Sequence, residues 1–250
     1  MTIEDFFHEN DHVALGFSGG VDSSYLLYAA LKSGAQVRAY YVRSAFQPQF
    51  ELEDVTRLAR QLGADLKILD VDVLSDDKVA ANPADRCYYC KRRIFSAIAA
   101  QALADGYHTL IDGTNASDDA GDRPGMRALK ELAVRSPLRE CGLTKTEIRR
   151  LSREAGLFTW NKPAYACLAT RISTSEIITA EKLEKTERAE SYLMLQGFKD
   201  FRIRMIGTAA KIQVSEAQIE QLFKLRTCVV RELKKHYSAV LLDLEAHDES

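Results

Sequence analysis

Residues 17–24, FSGGVDSS, concentrate small and polar side chains between two apolar runs. Adjacent glycines let backbone amides turn toward a ligand, and a following helix adds unpaired N–H groups and the positive end of its dipole, so this stretch predicts a phosphate-binding loop. Ser18, Ser23 and Ser24 add hydroxyl donors. The simpler alternative is an ordinary strand-to-helix turn in which Asp22 or Ser23 caps the helix.

Two other glycine motifs do not fit this stretch. The sequence there has neither the G-x-G-x-x-G of dinucleotide folds nor the G-x-x-x-x-G-K-[ST] whose lysine reaches the terminal phosphates. A different phosphate-binding loop is therefore indicated.

Cysteines form the second group of reactive side chains. Cys87 and Cys90 stand in RCYYCKRR, and Cys167 stands in KPAYACLATR. A thiolate is a strong nucleophile toward an activated carbonyl, and a C-x-x-C pair serves zinc, redox exchange or an iron–sulfur cluster. A buried apolar thiol is the plain alternative for each cysteine.

The number of further ligands separates the metal alternatives. The chain has no second C-x-x-C and its five histidines show no ligand spacing, which disfavours a closed zinc site. A redox dithiol stays open, because a helix is predicted to begin just after Cys90 with basic residues beside it. With Cys167 the pair makes three thiolates, enough for a [4Fe-4S] cluster that leaves one iron open. Cys141 and Cys228 are left out, the first because it stands in a loop without partners and the second because its helical pattern predicts that it faces a core.

The elements that must position these residues alternate along the N-terminal part of the chain. HVALGF, QVRAYYV, LKILDV and HTLIDG are predicted strands, and VDSSYLLYAALKSG, FELEDVTRLARQLG and KRRIFSAIAAQALADG are predicted helices. Strands separated by helices of this length pair in parallel through right-handed crossovers. The prediction is an α/β fold with a doubly wound parallel sheet.

The pattern changes toward the C-terminus. A helix is predicted over 124–134, and another opens at Thr144, which has capping-box spacing to Glu147. Residues 157–176 lack periodicity, and from residue 180 the order helix, strand, strand, helix, strand predicts a smaller C-terminal α+β domain. We therefore predict domains at 1–160 and 161–250, the second including the loop around Cys167.

Composition limits the class of protein. The 250 residues carry 34 basic and 36 acidic side chains, a formal charge of −2, which favours a small-molecule substrate over nucleic acid. No apolar run is long enough to span a membrane and no signal-peptide pattern opens the chain, so we expect a cytoplasmic protein without membrane contact. An odd number of cysteines in a chain of this length favours reduced thiols over a disulfide framework.

The stretch from Ser18 to Ser24 closely resembles the S-G-G-x-D-S loop of the PP-loop ATP pyrophosphatases, which bind the pyrophosphate of ATP and transfer AMP to a substrate oxygen. The resemblance implies ATP and magnesium, with Gly19 and Gly20 at the pyrophosphate and Asp22 positioning the metal through water. IDGTNASD, residues 111–118, resembles the second nucleotide-facing segment of the family, which implies that Gly113, Thr114 and Asn115 bind nucleotide.

NKPAYACLATRI, together with RCYYCK and the loop, resembles the LarE family of sulfur transferases, which build the nickel-pincer nucleotide of lactate racemase. The resemblance implies that the carboxylates of pyridinium-3,5-biscarboxylic acid mononucleotide are adenylated and converted to thiocarboxylates. One branch of the family sacrifices the cysteine at the position of Cys167, which becomes dehydroalanine. The other branch has the extra C-x-x-C and a sulfide-delivering cluster, so the resemblance places Cys87, Cys90 and Cys167 on a [4Fe-4S] cluster. It also implies a homo-oligomer.

Basic residues are expected beside the reacting carboxylate. Arg171, Arg202 and Arg204 match basic positions of the family, and the last two share one strand face. All three would bind the substrate phosphate. A solvent-facing edge strand is the alternative for that pair. This chain departs from the family in lacking the Pro-Tyr-Gly stretch before Ile178, in having Gln213 at an acidic position, and in lacking a Gly-Tyr-Arg-x-Gly pattern at its end, although Glu190 matches another acidic position.

Three other functions use part of the same motifs. A tRNA-thiolating enzyme shares most of them but should carry a broad basic surface. An amidating enzyme that uses ammonia needs no cysteines at these positions. A non-enzymatic ATP-binding regulator would use the C-x-x-C to sense redox state.

Overall fold

The structure is a computed structural model that describes residues 1–118 and 123–245. The chain divides into two compact units, residues 1–73 with 85–162 and residues 74–84 with 163–250. Of the divergent C-terminal stretch LLDLEAHDES, residues 246–250 lie outside the described part. Among the described residues, no helix combines the length and apolar character needed to cross a membrane.

The first unit contains a four-stranded parallel sheet. Its strands are β1 His12–Gly16, β2 Gln36–Arg43, β3 Asp65–Asp70 and β4 Thr109–Ile111, in the order β3-β2-β1-β4. The predicted α/β fold is confirmed. Because β1 has β2 on one side and β4 on the other, the chain leaves β1 at the point where the strand order reverses, which is where open α/β sheets bind ligands.

Helices follow the predicted periodicity closely. In chain order they are α1 Ile3–Glu9, α2 Val21–Lys32, α3 Gln49–Leu62, α4 Asp77–Ala80, α5 Arg86–Ala104, α6 Pro124–Glu131, α7 Pro137–Glu140, α8 Lys145–Glu154, α9 Ala180–Leu195 and α10 Glu216–Leu233. The predicted capping box at Thr144 is present, since its side chain accepts from the Glu147 N–H and the Glu147 side chain accepts from the Thr144 N–H. The helix predicted over 124–134 ends earlier, at Glu131. Ala133 has a φ of 52°, in the left-handed region, which an α-helix cannot continue through.

Alternate residues of the strands pack on opposite faces of the parallel sheet. Val13 and Leu15 of β1 join the buried cluster that contains α1, α2 and α8 residues, whereas Ala14 joins the cluster that contains Phe95 and Ile98 of α5. Side chains alternate across a strand, so a sheet buried on both faces needs apolar residues at consecutive positions. The doubly wound arrangement therefore follows from the run VAL in the sequence.

The second unit is the predicted smaller α+β domain. Strand β5 Arg202–Ile206 pairs antiparallel with β6 Ala209–Gln213, which pairs in parallel with β7 Val240–Leu242, and α9 and α10 accompany this sheet. The short segment 74–84 belongs to this unit. Asn82 links this segment to the rest of the second unit, because its side-chain amide donates to the Ile172 and Ser173 carbonyls at 3.3 and 2.8 Å. The sequence-based division after residue 160 assigns that segment to the first part, and it stays a prediction about independently folding domains.

Candidate active site

The loop that follows β1 is shaped by its two glycines. Gly20 occupies the N-cap position of α2 without a side-chain cap, so the alternative in which Asp22 or Ser23 caps this helix is wrong. Gly19 has a φ of +71°, and a Cβ there would lie 2.6 Å from Val55 Cγ2. Only glycine fits this conformation and this close approach without strain.

Serine hydroxyls of the loop bond mainly to one another. Ser18 Oγ lies 3.1 Å from Ser23 Oγ, Ser23 Oγ donates to the Gly20 carbonyl at 3.3 Å, and the Gly20 N–H donates to Ser18 Oγ at 3.4 Å. Ser24 is fully buried, and its Oγ has no hydrogen-bond partner among the described residues. Hydrogen bonds of this length are weak, so Ser18 and Ser23 can exchange them for oxygens of an anion.

Asp22 connects the loop to two other segments of the first unit. Its Oδ1 accepts from Asn115 Nδ2 at 3.3 Å, and its Oδ2 lies 2.6 Å from Lys145 Nζ. Gly113 approaches the same helix end so closely that a Cβ there would lie 2.8 Å from the Ser23 backbone nitrogen. The two segments predicted to face nucleotide are therefore adjacent.

Thr114 and Asn115 hold the second segment in place. Both are buried; Thr114 donates to Asp112 and the Asn115 N–H donates to Asp118 Oδ2 at 2.9 Å. Asp112 also accepts from Ser136 Oγ at 2.6 Å. These bonds fix the segment after β4 beside the first turn of α2.

Lysines from two distant parts of the chain reach the loop, and the sequence interpretation missed both. Lys145 is the first residue of α8, where the helix dipole disfavours a positive charge, and that unfavourable position was the signal available in the sequence. Lys162 Nζ donates to the Gly19 carbonyl at 3.4 Å and pairs with Asp54 at 2.7 Å. Each lysine is paired with an aspartate, and the N-termini of α2 and α8 lie beside them, so the helix ends are the features of this region that favour an anion.

Asp22 also fits a role in binding magnesium. Its carboxylate is partly exposed, and Mg²⁺ prefers oxygen ligands such as carboxylates and water. The carboxylate, the amide of Asn115 and the ammonium of Lys145 together form a polar cluster beside the loop.

Cys87 and Cys90 lie inside α5, which begins at Arg86, so the prediction that the helix starts after Cys90 was wrong. Their spacing of three residues puts both thiols on one side of its first two turns. Cys87 is exposed, and Arg86 Nη2 donates to its sulfur at 3.9 Å. Two soft sulfur side chains beside a guanidinium suit either metal binding or redox exchange.

Cys167 lies in the second unit, immediately before a single 3₁₀ turn, Leu168–Arg171. Its carbonyl accepts from the Thr170 N–H at 3.0 Å and from Thr170 Oγ1 at 2.9 Å. Its side chain is half-buried. Within the part of the chain that the structure describes, no group of three or more His, Cys, Asp or Glu side chains is arranged to hold a metal ion, so the predicted cluster stays a prediction.

The two remaining cysteines differ from their sequence interpretation. Cys228 of α10 is exposed and does not face a core. Cys141 has a partner, since its thiol donates to the Thr2 carbonyl at 3.3 Å. None of the five cysteines, all of which are described, forms a disulfide.

Arg171 is a buried residue whose donors are used by protein acceptors. Its Nε and Nη2 donate to Glu190 at 2.8 and 3.1 Å, and its Nη1 donates to the Ala166 carbonyl and to Thr170 Oγ1. Burial alone would lower the pKa of Arg171, but the hydrogen bonds and charge of Glu190 outweigh it, and the pKa lies above its ordinary value. Tyr165 also donates to Glu190, and its ring lies 4.6 Å from the Arg171 guanidinium carbon.

Arg202 and Arg204 of β5 both donate to backbone carbonyls of the segment around Cys167. Arg202 Nη2 bonds Ala164 O at 2.8 Å and Arg204 Nη1 bonds Thr170 O at 3.0 Å. Arg202 is buried and Arg204 is exposed, so a solvent-facing strand describes the second but not the first, and phosphate binding by either stays a prediction. Burial and the neighbouring Arg171 charge lower the pKa of Arg202.

Gln213 replaces the acidic residue of the family beside Arg204. It accepts from Arg204 Nε and donates to Asp243 Oδ2 at 2.8 Å. Lys211 pairs with the same aspartate at 2.6 Å. The position therefore lies in a hydrogen-bonded network on the small sheet.

Comparisons with known proteins agree with this architecture. Residues 12–87, which include β1, the loop and β2, match the family model of queuosine biosynthesis protein QueC. The chain is 27% identical over 195 residues to the tRNA-specific 2-thiouridylase MnmA of Thermotoga sp. (strain RQ2), covering 60% of this chain and 54% of that protein. With the S-G-G-x-D-S loop at the switch point of a parallel sheet, the protein is a PP-loop ATP-dependent enzyme.

Two longer matches define the family within that class. The chain is 33% identical over 235 residues to pyridinium-3,5-bisthiocarboxylic acid mononucleotide synthase of Lactiplantibacillus plantarum, covering 93% of this chain and 85% of that protein. It is 37% identical over 222 residues to the uncharacterized protein slr1717 of Synechocystis sp., covering 88% and 82%. The chain belongs to the LarE family of sulfur transferases.

Proposed function

We propose that this enzyme uses ATP to adenylate a carboxylate of pyridinium-3,5-biscarboxylic acid mononucleotide and then replaces AMP with sulfur to give a thiocarboxylate. The observation that carries the proposal is the loop beside Asp22, Asn115 and Lys145, found in a chain that matches the bisthiocarboxylic acid mononucleotide synthase over 93% of its length. A carboxylate is a poor electrophile until its oxide is converted to a good leaving group.

In this proposal the first step takes place at the loop after β1. Amides and hydroxyls of Ser18, Gly19, Gly20, Ser23 and Ser24 bind the pyrophosphate part of ATP, while Gly113, Thr114 and Asn115 face the nucleotide. A substrate carboxylate oxygen attacks the α-phosphorus, the bond to the β-phosphate oxygen breaks, and pyrophosphate leaves.

Charge balance during that step rests on Asp22 and Lys145. Asp22 would hold magnesium, which would supply charge neutralisation at the phosphates. Lys145 Nζ, which lies 2.6 Å from the Asp22 carboxylate, transfers its hydrogen bond to a phosphate oxygen. Because Lys145 is partly exposed, this exchange does not require a buried charge to be uncovered.

Sulfur transfer is assigned to Cys167. Its thiolate attacks the acyl-adenylate carbon, AMP leaves, and a thioester forms. A general base then removes the Cα proton of residue 167, the electrons of that C–H bond form the Cα=Cβ bond of dehydroalanine, and the Cβ–S bond breaks so that its electron pair leaves on the sulfur of the thiocarboxylate. A [4Fe-4S] cluster on Cys87, Cys90 and Cys167 would instead supply sulfide and spare the cysteine. The C-x-x-C pair on α5 favours this second source.

The substrate phosphate is assigned first to Arg204. Its side chain is exposed, and its guanidinium holds one backbone carbonyl and one amide oxygen, which a phosphate can replace. Arg202 and Arg171 can join it only by giving up contacts to buried carbonyls and to Glu190. In this proposal they mainly fix the segment around Cys167.

A tRNA thiolation activity is the second candidate, because MnmA matches 60% of this chain. Two features favour the small nucleotide. The match to the mononucleotide synthase extends over 93% of the chain, and the formal charge is −2. We also propose a cytoplasmic homo-oligomer.

Turnover of anaerobically purified protein tests the function. Protein, ATP and magnesium are incubated with the dicarboxylate mononucleotide or with tRNA, and pyrophosphate, AMP and thiolated product are measured. We expect pyrophosphate and a thiocarboxylate with the mononucleotide alone. Formation of ADP and orthophosphate would exclude the adenylation, and thiolated tRNA would establish the second candidate.

Iron, sulfide and intact-mass measurements on the same samples identify the sulfur source. Iron near four per chain with an unchanged chain mass would identify the cluster. A chain lighter by one hydrogen sulfide after turnover, without iron, would identify Cys167 as the sacrificed donor. Cys167→Ser should stop thiolation in both cases while pyrophosphate release continues.

A further inference from the structure

Lys162 is the last residue of the first unit and precedes Pro163, which begins the segment that carries Cys167. Its side chain is only 15% exposed, although its position shows no sequence motif for nucleotide binding. The ammonium lies 2.7 Å from Asp54 Oδ2, donates to the Gly19 carbonyl at 3.4 Å and sits 5.5 Å from the centre of the Phe50 ring. It therefore touches the phosphate-binding loop from the side of α3.

The contact between Lys162 and the Gly19 carbonyl constrains the Gly20 N–H, which the loop can offer to a phosphate. A trans peptide is planar, so the Gly19 C=O and the Gly20 N–H point in opposite directions from one plane. By contacting the oxygen at 3.4 Å, Lys162 favours one direction of the Gly20 N–H, which donates to Ser18 Oγ at 3.4 Å. Val55 restricts the other side of Gly19. The Gly19–Gly20 peptide is thus oriented by two neighbours of the loop.

The backbone of Lys162 is anchored as firmly as its side chain. Its N–H donates to the Thr159 carbonyl at 3.0 Å, and its carbonyl accepts from Arg149 Nη2 at 3.2 Å. Arg149 also donates to the Trp160 carbonyl at 3.1 Å. A rearrangement of the Gly19–Gly20 peptide must therefore be accommodated by the Lys162 side chain or transmitted to its backbone.

From Lys162 the chain needs five residues to reach Cys167. Fully extended chain spans at most about 3.6 Å per residue, so the tether between Lys162 and Cys167 is short, and a displacement of Lys162 can be passed along it. Pro163 stiffens its start by fixing one backbone dihedral. The loop and the sulfur-bearing residue are connected by this path along the chain.

We infer that Lys162 is a positioning residue that couples nucleotide binding at the Gly19–Gly20 peptide to the position of the segment carrying Cys167. The inference rests on the proposed function and deepens it, because an acyl-adenylate is open to hydrolysis until sulfur attacks. Coupling makes the cysteine segment respond once the triphosphate has entered the loop. If the Lys162–Asp54 pair were purely structural, it would stabilise the first unit, and nucleotide would not change the position of the cysteine segment through it.

The reactivity of Cys167 measures the coupling directly. Full-length protein is alkylated with iodoacetamide with and without saturating α,β-methylene ATP and magnesium, and the rate at Cys167 is followed by peptide mass spectrometry. The exposed Cys228 serves as an internal reference. In the unmodified protein we expect nucleotide to change the Cys167 rate by about 5-fold, the lower end of the usual coupling between two sites. The Cys228 rate should not change.

Variants at residue 162 separate coupling from stability. Lys162→Met should bind the analogue about 10-fold more weakly, because the Gly19 carbonyl loses its contact with the ammonium and the Gly20 N–H is no longer held in one direction before the phosphate arrives. At saturating analogue, it should also lose the change in Cys167 rate. Lys162→Arg should recover most of that change, and Lys224→Met, at an exposed ion pair of α10, should behave as the unmodified protein. Asp54→Asn should give an intermediate change and replaces Lys162→Met if that variant does not fold.

Two results would overturn the inference. One is that nucleotide leaves the alkylation rate of Cys167 unchanged in the unmodified protein, and the other is that saturating analogue changes that rate in Lys162→Met as much as in the unmodified protein. In turnover, the unmodified protein should form about one thiolated product per pyrophosphate, and Lys162→Met should form fewer because uncaptured adenylate hydrolyses. If the unmodified protein releases no pyrophosphate with the mononucleotide, the proposed function fails. The alkylation result still decides the coupling in that case.

Discussion

Two ion pairs in this protein use similar chemistry in opposite surroundings. Asp22 and Lys145, beside the loop after β1, have side-chain exposures of 21% and 33%, whereas Glu190 and Arg171 in the second unit have 2% and 1%. Water reaches the first pair, so its groups can exchange partners with a ligand at small cost. Separating the second pair would leave a charge unpaired in the interior.

The hydrogen bonds around each pair show the same contrast. Glu190 accepts from Nε and Nη2 of Arg171, from the Ile203 N–H at 2.9 Å and from the Tyr165 hydroxyl. Asp22 accepts one ammonium and one side-chain amide at 3.3 Å. The exposed pair therefore suits the binding role that we propose for it, whereas the buried pair holds the backbone around Cys167.

Removing the charge of Glu190 should have the largest effect on stability. Glu190→Gln should lower the free energy of unfolding of the second unit by about 3–5 kcal/mol, because Arg171 stays buried without a counter-charge. Urea denaturation, with hydrogen exchange in α9 to identify the unit that opens, measures this. Glu184→Gln on the same helix is the matched control. Its pair with Arg188 is 66% exposed on both sides, so a change below about 0.5 kcal/mol is expected.

Equal losses in the two glutamate variants would contradict the comparison. The buried pair would then contribute no more than a surface pair, and the segment around Cys167 would need another anchor.

Lys145→Met should affect catalysis and leave stability nearly unchanged. Loss of a charge-assisted hydrogen bond to phosphate should reduce pyrophosphate release about 10- to 100-fold, while the free energy of unfolding changes by less than about 1 kcal/mol. Steady-state pyrophosphate release and urea denaturation give the two numbers. Lys224→Met supplies the control for removing an exposed lysine. A variant that loses stability but retains its rate would reverse the roles assigned to the two pairs.

Gly19→Ala and Gly20→Ala should differ from each other in stability, and this is the smallest of the expected effects. Gly19→Ala should destabilise the first unit by about 1–2 kcal/mol, since its φ of +71° is unfavourable for alanine and its Cβ would meet Val55. Gly20 has a φ of −75°, and a Cβ there would lie 3.5 Å from Ser18 Oγ. Gly20→Ala should therefore change the free energy of unfolding by less than about 1 kcal/mol. Thermal unfolding of the pair measures the difference. Equal stability would mean that the loop is not shaped before ligand binds.

Local pattern was sufficient to predict most of the fold. The strand-to-helix alternation, the capping box at Thr144 and the apolar run of β1 depend on neighbours within one or two turns, and all three are present. The ends of helices were predicted less well. The start of α5 was predicted after Cys90, but the helix includes Cys87 and Cys90, because periodicity alone does not assign the polar and aromatic residues of its first turn to a helix.

Side-chain surroundings were predictable only where a motif fixed them. Cys228 was expected in a core and is exposed, and Arg171, expected at a phosphate, has its donors on Glu190 and on nearby oxygens. Its phosphate role stays a prediction. Spacing identifies a helix face or a strand face, but packing decides whether that face is covered.

By itself the sequence determined the parallel α/β architecture and the anion loop, because both follow from short-range periodicity and from the conformational freedom of two adjacent glycines. Tertiary structure alone decided that Lys145 and Lys162, 123 and 143 positions from their partners in the loop, lie beside it. The physical reason is the parallel sheet: its crossovers bring the carboxyl ends of distant strands, and the segments that follow them, to one edge. No local spacing in the chain records which distant cation arrives there.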